Sequence, residues 1–70
     1  MQRLQKPKEA AIHYQAAVQI KPTEGRWWLG LGLAYEADGR KAEARDAFQH
    51  AKAASGLPPE MLAVIEQKLR

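Results

Sequence analysis

The 70-residue chain has no cysteine. That removes the disulfide staple on which small secreted scaffolds rely, and any Cys-ligated zinc site. Aromatic residues are scarce: Tyr14, Trp27, Trp28, Tyr35 and Phe48 are the five rings. No apolar run approaches the ~20 residues that a bilayer span requires, and the basic stretch 1–9 carries no apolar segment of the kind found in a secretory leader. β-branched residues are few and strict polar/apolar alternation is missing, so nothing reads as a strand. Neither charge sign dominates. Eleven Lys and Arg against eight Asp and Glu give a net charge of +3, with both signs interspersed. Such a surface reads as the solvated faces of helices. A nucleic-acid footprint needs clustered Lys and Arg on one face, with aromatics where single strands are bound. The expectation is therefore no nucleic-acid partner and no direct membrane insertion.

Alanine supplies much of the 46% apolar content. This is a thin core, of the kind that needs idealised packing or a partner. Pro7, Pro22, the Pro58-Pro59 pair, Gly39 and Gly56 punctuate the chain into four helices near 7–20, 24–38, 41–54 and 58–70. The first opens on Pro7, suited to a first helical turn, and stacks Ala10, Tyr14, Ala17 and Val18 on one face. Thr23 reads as the N-cap of the second, and Gly39 as its left-handed C-cap. The third carries Ala44, Ala47, Phe48 and Ala51 on one stripe and ends at Ser55-Gly56. The fourth turns Met61, Leu62, Ile65 and Leu69 inward. Connections this short make neighbouring helices antiparallel.

A shift of 34 residues superposes the chain on itself: Ala10 on Ala44, Tyr14 on Phe48, Ala17 on Ala51, Trp28 on Leu62, Leu31 on Ile65 and Tyr35 on Leu69. Self-similarity at this period marks a helical repeat array. The middle unit reads Trp28-x2-Leu31-Gly32-x2-Tyr35, then Ala44-x3-Phe48, then Ala51. This pattern resembles the tetratricopeptide repeat (TPR). The implied fold is all-α: an antiparallel helical-hairpin repeat, a TPR-like solenoid fragment of four helices with a C-terminal capping helix. The whole chain, 1–70, forms one domain, with 7–20 the second helix of a truncated repeat, 24–54 one complete repeat and 58–70 the cap. Gly32, Ala44 and Ala51 are small where two helices cross, with Gly30 expected off that contact. Gly32 becomes Glu66 at the offset, Leu29 becomes Ala63 and Leu33 becomes Gln67. That more polar set is how a solenoid closes its last apolar face. By the same offset, residues 1–5 correspond to the last turn of a preceding helix.

Chemistry-bearing constellations are absent. His13 and His50 sit on equivalent helices with no acidic cluster, Gly30-x-Gly32 follows no strand and lacks a third glycine, and Ser55 has no neighbouring base. No catalytic, cofactor-binding or metal-ligating residue is assigned, and no enzyme activity is expected. TPR arrays hold ligands on the inner face of each first helix, so the resemblance implies a peptide groove at Arg26, Leu29, Leu33, Glu36 and Ala37, with a protein or peptide as partner. The other reading of Leu29 and Leu33 packs them against the fourth helix. A second candidate surface is Ala10, Tyr14, Ala17 and Val18 with Trp27, which implies a possible homo-oligomer formed through an uncapped N-terminal face. Trp27 either folds over the first helix or forms an exposed patch.

The run Gly25-Arg-Trp-Trp-Leu-Gly-Leu-Gly-Leu33 and the end beginning Leu57-Pro-Pro-Glu-Met-Leu are also similar to the C-terminal TPR region of bacterial mannose-sensitive haemagglutinin (type IV) pilus biogenesis proteins. That narrower resemblance implies an assembly scaffold, in the bacterial cytoplasm or beside the inner membrane on its periplasmic side.

Overall fold

The computed structural model describes residues 6–54 and 56–70. Four helices follow one another: α1 Pro7–Ile20, α2 Gly25–Ala37, α3 Lys41–Ala53 and α4 Pro59–Lys68. No strand occurs among the described residues, and the packed helix pairs match a TPR-like helical-hairpin fragment. The helical turn expected at residues 1–5, and the helix stop assigned to Ser55, lie outside the described residues.

The α2 helix is the middle of the molecule. It packs most extensively on α3 and next on α1, while α4 leans on α3. Its start differs from the sequence expectation: Glu24, not Thr23, is the N-cap residue, with extended backbone and no side-chain cap hydrogen bond. The Glu24 amide is engaged by the Lys21 carbonyl at 3.2 Å. The turn is thus closed through the main chain, without a capping hydroxyl. Its end follows expectation. Gly39 has φ +81°, its N–H donates to the Glu36 carbonyl, and the Arg40 N–H donates to the Tyr35 carbonyl at 2.8 Å. These two bonds form the Schellman closure. The three residues of this turn return the chain directly, so α2 and α3 make an antiparallel hairpin.

The core is built where α2 and α3 meet. Ala44, Ala47, Phe48 and Ala51 of α3 are all buried, with Leu31, Ala34 and Tyr35 of α2, Ala11 and Val18 of α1 and Ile65 of α4. Three of the four α3 residues are alanines, so they reach α2 only if the helix axes come close. Gly32 permits that approach: a Cβ there falls 2.5 Å from the Phe48 ring. Gly30 lies off that contact, as expected, but meets α1 instead. A Cβ on it falls 2.5 Å from the Tyr14 ring of α1. The 34-residue register identified the crossing with the following helix but not the one with the preceding helix. Trp28, the first residue of the repeat pattern, is half-buried against the core. Its indole N–H donates to the Pro22 carbonyl at 2.8 Å and its ring stacks on His50 at 4.3 Å. An indole N–H needs an acceptor when it leaves water, and the α1–α2 turn supplies one at the surface.

Two outcomes follow for stability. Phe48 is 1% exposed and has nowhere to move, so Gly32→Ala lowers unfolding free energy by about 1–3 kcal/mol through overpacking. Tyr14 is half-buried and its ring can swing outward, so Gly30→Ala costs less, offset by the ~1 kcal/mol helix-propensity gain of Ala over Gly. Denaturant midpoints at equal slope rank the two, and an equal loss for both contradicts the assignment. Separately, Gly39→Ala forces a Cβ into the left-handed region and costs about 1–2 kcal/mol, read as a lowered thermal midpoint, with Gly39→Asn losing less.

Candidate functional site

The five residues expected to form a groove do not stay together. Leu29 is buried at 8% exposure and belongs to the core. Arg26 points to solvent and pairs with Glu24 at 3.2 Å. Glu36 accepts a 2.8 Å hydrogen bond from Lys68, tying α2 to the last turn of α4. Both of these side chains are more than a third exposed, so the pair contributes little to stability. Leu33 is 41% exposed, and with Ala37 it faces α1.

The second expected surface divides as well. Val18 is 5% exposed and is spent inside the chain, as is Ala11, which the sequence reading did not single out. Ala17 is half-buried, and Trp27 is half-buried against the core. Ala10 and Tyr14 turn toward α2.

What the structure brings together is two of the five residues of each set. Leu33 and Ala37 of α2 and Ala10 and Tyr14 of α1, with Pro7, Gly30 and Ala34, line one cavity of about 270 Å³ between the two helices. Its lining is mostly small residues, with the Tyr14 ring and Leu33 as the large side chains. The repeat register explains its place. A smaller cavity of about 180 Å³ is lined by Lys41, Ala44, Phe48 and Lys68, with Glu36 and Arg45. Subtracting 34 from the first four gives Pro7, Ala10, Tyr14 and Ala34, all in the first cavity. In the second cavity α2 closes one side through Glu36. The corresponding position in the first is residue 2, outside the described residues. The groove between α1 and α2 is therefore built like the seat that α2 occupies on α3.

A shallower cavity of about 460 Å³ lies between α1 and α3, over Trp28, Leu31 and Tyr35 of α2 and edged by Glu43 and Asp46. The Gln15 side-chain amide donates to the Tyr35 hydroxyl across it, and the Arg40 guanidinium sits 5.4 Å from the Tyr35 ring centre. Among the described residues, no group of three His, Asp or Glu side chains could hold a metal ion, and no helix is long and apolar enough to cross a membrane.

Comparison with known proteins gives a partial placement. No family model matches the chain. No solved structure matches it either. Over 62 residues, 89% of the chain, it is 36% identical to the cytochrome c-type biogenesis protein CycH of Pseudomonas aeruginosa. Over 43 residues, 61% of the chain, it is 42% identical to Superkiller protein 3 of Schizosaccharomyces pombe. The chain spans 15% of the first protein's length and 3% of the second's. Neither name is that of a pilus protein, so the narrower resemblance stands on its residues alone. Together with the four-helix fold and the 34-residue register, the two likenesses support a repeat of the tetratricopeptide type.

Proposed function

We propose that this chain is a non-enzymatic protein-interaction module that seats a partner helix in the groove between α1 and α2. The observation that carries this reading is the equivalence of that groove with the α2 seat on α3. The same positions recur 34 residues apart, with Tyr14 where α3 has Phe48 and Ala10 where it has Ala44. A helix entering as α2 does on α3 sets a small residue over the Tyr14 ring, as Gly32 is set over Phe48. It covers Leu33 and Ala37 with an apolar flank. The partner chemistry is thus an amphipathic helix with a glycine or alanine at the crossing, recognised as helices in grooves are. The exposed Ala63, Glu66 and Gln67 of α4 support a closing role for the opposite end. An assembly-scaffold role of the kind implied by the pilus resemblance uses the same groove.

Leu33→Asp tests the reading. Leu33 is 41% exposed, so the charge is tolerated and circular dichroism keeps its helical signal. Titration with a synthetic helical peptide carrying Trp-x2-Leu-Gly-x2-Tyr shifts the amide resonances around Tyr14 and Ala37 in the parent chain. In the variant the affinity falls by about tenfold or more, the equivalent of ~1.4 kcal/mol. Resonance shifts confined to α3 and α4, or unchanged affinity in the variant, refute the groove. Leu29→Asp is the structural counterpart: it places a carboxylate at a buried position and unfolds the chain.

A further inference from the structure

The cavity between α1 and α3 shares no lining residue with the α1–α2 groove. Its floor belongs to the repeat framework: Trp28, Leu31 and Tyr35. Its rim does not. Gln15 and Gln19 of α1 stand on one side, Glu43 and Asp46 of α3 on the other. The 34-residue register puts Ile12 at the place of Asp46, so the acidic pair belongs to this cavity and not to the repeat.

The rim is anionic on a chain whose net charge is +3. Among the described residues, no lysine or arginine lines the cavity, and neither Glu43 nor Asp46 pairs with one. The Asp46 carboxylate has only the His50 Nδ1 nearby, at 3.8 Å. The two carboxylates are three residues apart on α3, neighbours on one face of the helix, where like charges repel. A cation beside both relieves that repulsion. Two of the cavity's donors are already spent inside the chain: the Trp28 indole N–H on the Pro22 carbonyl, and the Gln15 amide on the Tyr35 hydroxyl.

We propose that this cavity receives an arginine side chain of a partner protein. The rim selects a cation by charge, and the floor selects which cation. A guanidinium is planar and weakly hydrated, stacks on aromatic rings, and presents a fork of N–H donors that matches carboxylates. An ammonium is compact and strongly hydrated, so it loses more on leaving water for a floor of two aromatic rings and a leucine. The chain sets one guanidinium of its own against this floor. Arg40 lies 5.4 Å from the Tyr35 ring centre, with its charge offset by Asp38 at 3.6 Å, and it is not part of the lining. A volume of about 460 Å³ takes the side chain with its methylene stem, which covers Leu31 and Val18. The cavity and the α1–α2 groove use different flanks of α2, so the arginine does not compete with a helix in the groove.

Titration with N-acetyl-arginine amide at constant ionic strength reads the site. The resonances of the Trp28 indole N–H and of the Gln15 and Gln19 side-chain amides shift together and saturate in the millimolar range, as one side chain without the rest of its partner provides. N-acetyl-citrulline amide keeps the shape without the charge, and N-acetyl-lysine amide keeps the charge without the plane. Each binds at least about fivefold more weakly. Glu43→Gln with Asp46→Asn lowers the arginine affinity about tenfold or more, while helical circular dichroism persists because both side chains are exposed. Leu33→Asp leaves the arginine affinity unchanged, which separates this site from the α1–α2 groove. No saturation by about 100 mM, equal affinity for either analogue, or an affinity that survives the double variant each overturns the proposal. Shifts centred on Tyr14 and Ala37 assign the cation to the α1–α2 groove and overturn it as well.

Discussion

The absence of a side chain at Gly32 is the constraint on which the rest of the molecule depends. Phe48 fills the space a Cβ would take, so α2 and α3 approach closely enough for alanines to make a core. Ala44, Ala47 and Ala51 are almost fully buried, yet each contributes one methyl. At a wider spacing they would face a void, and voids cost stability through lost dispersion contacts. The large side chains Leu31, Tyr35 and Phe48 can then be few, as they must be in a chain with five rings. The Schellman turn at Gly39 holds the hairpin to this register. Its three-residue length leaves α3 no other place to return along α2.

The same logic repeats on α1 with a different filling. Tyr14 occupies the Phe48 position, but its ring rests on Gly30 of α2. Two glycines two residues apart thus serve two crossings, one on each side of α2. They lie ~200° apart around the helix, which is why one helix can be approached closely from both flanks. A tyrosine rather than a phenylalanine at this seat keeps a hydroxyl at the rim of the α1–α2 cavity. The result is a groove of small residues beside the Tyr14 ring and Leu33.

The sequence made the repeat architecture legible because the pattern Trp28, Leu31, Gly32, Tyr35, Ala44, Phe48 and Ala51 reflects packing within one hairpin. Its spacing translates directly into α2 against α3. The span of α1 and the left-handed Gly39 were equally legible, the first from Pro7 and the second from the need for positive φ. Contacts between hairpins were not. Ala11 and Gly30 are fixed by how α1 and α2 lean together, and a helix packed on two sides shows no single polar face from which that angle could be read. Leu29 and Leu33 illustrate this: they lie one turn apart and look alike in sequence, yet one is core and the other lines the cavity. For the cavity, the sequence reading placed four of the lining side chains on two separate surfaces. Leu33, Ala37, Ala10 and Tyr14 share one cavity because the groove runs across the helix boundary that the sorting followed.

The two ends of the molecule differ in a way that bears on where partners arrive. On α4, the Gly32 equivalent is Glu66, and its outward residues include Gln67 and Lys68. A helix approaching there as α3 approaches α2 would have to bury a carboxylate without a counter-charge, which is costly. On α1, the corresponding positions are apolar or aromatic, and the outer row exposes isoleucines. Of the large exposed apolar side chains among the described residues, Ile12, Ile20 and Leu33 are on α1 or on the flank of α2 facing it, and only Val64 is on α4. Burial of apolar area is the term that drives helix association, while desolvating a charge opposes it. The exposed apolar side chains therefore gather on α1 and the adjoining flank of α2, while α4 presents a more polar face.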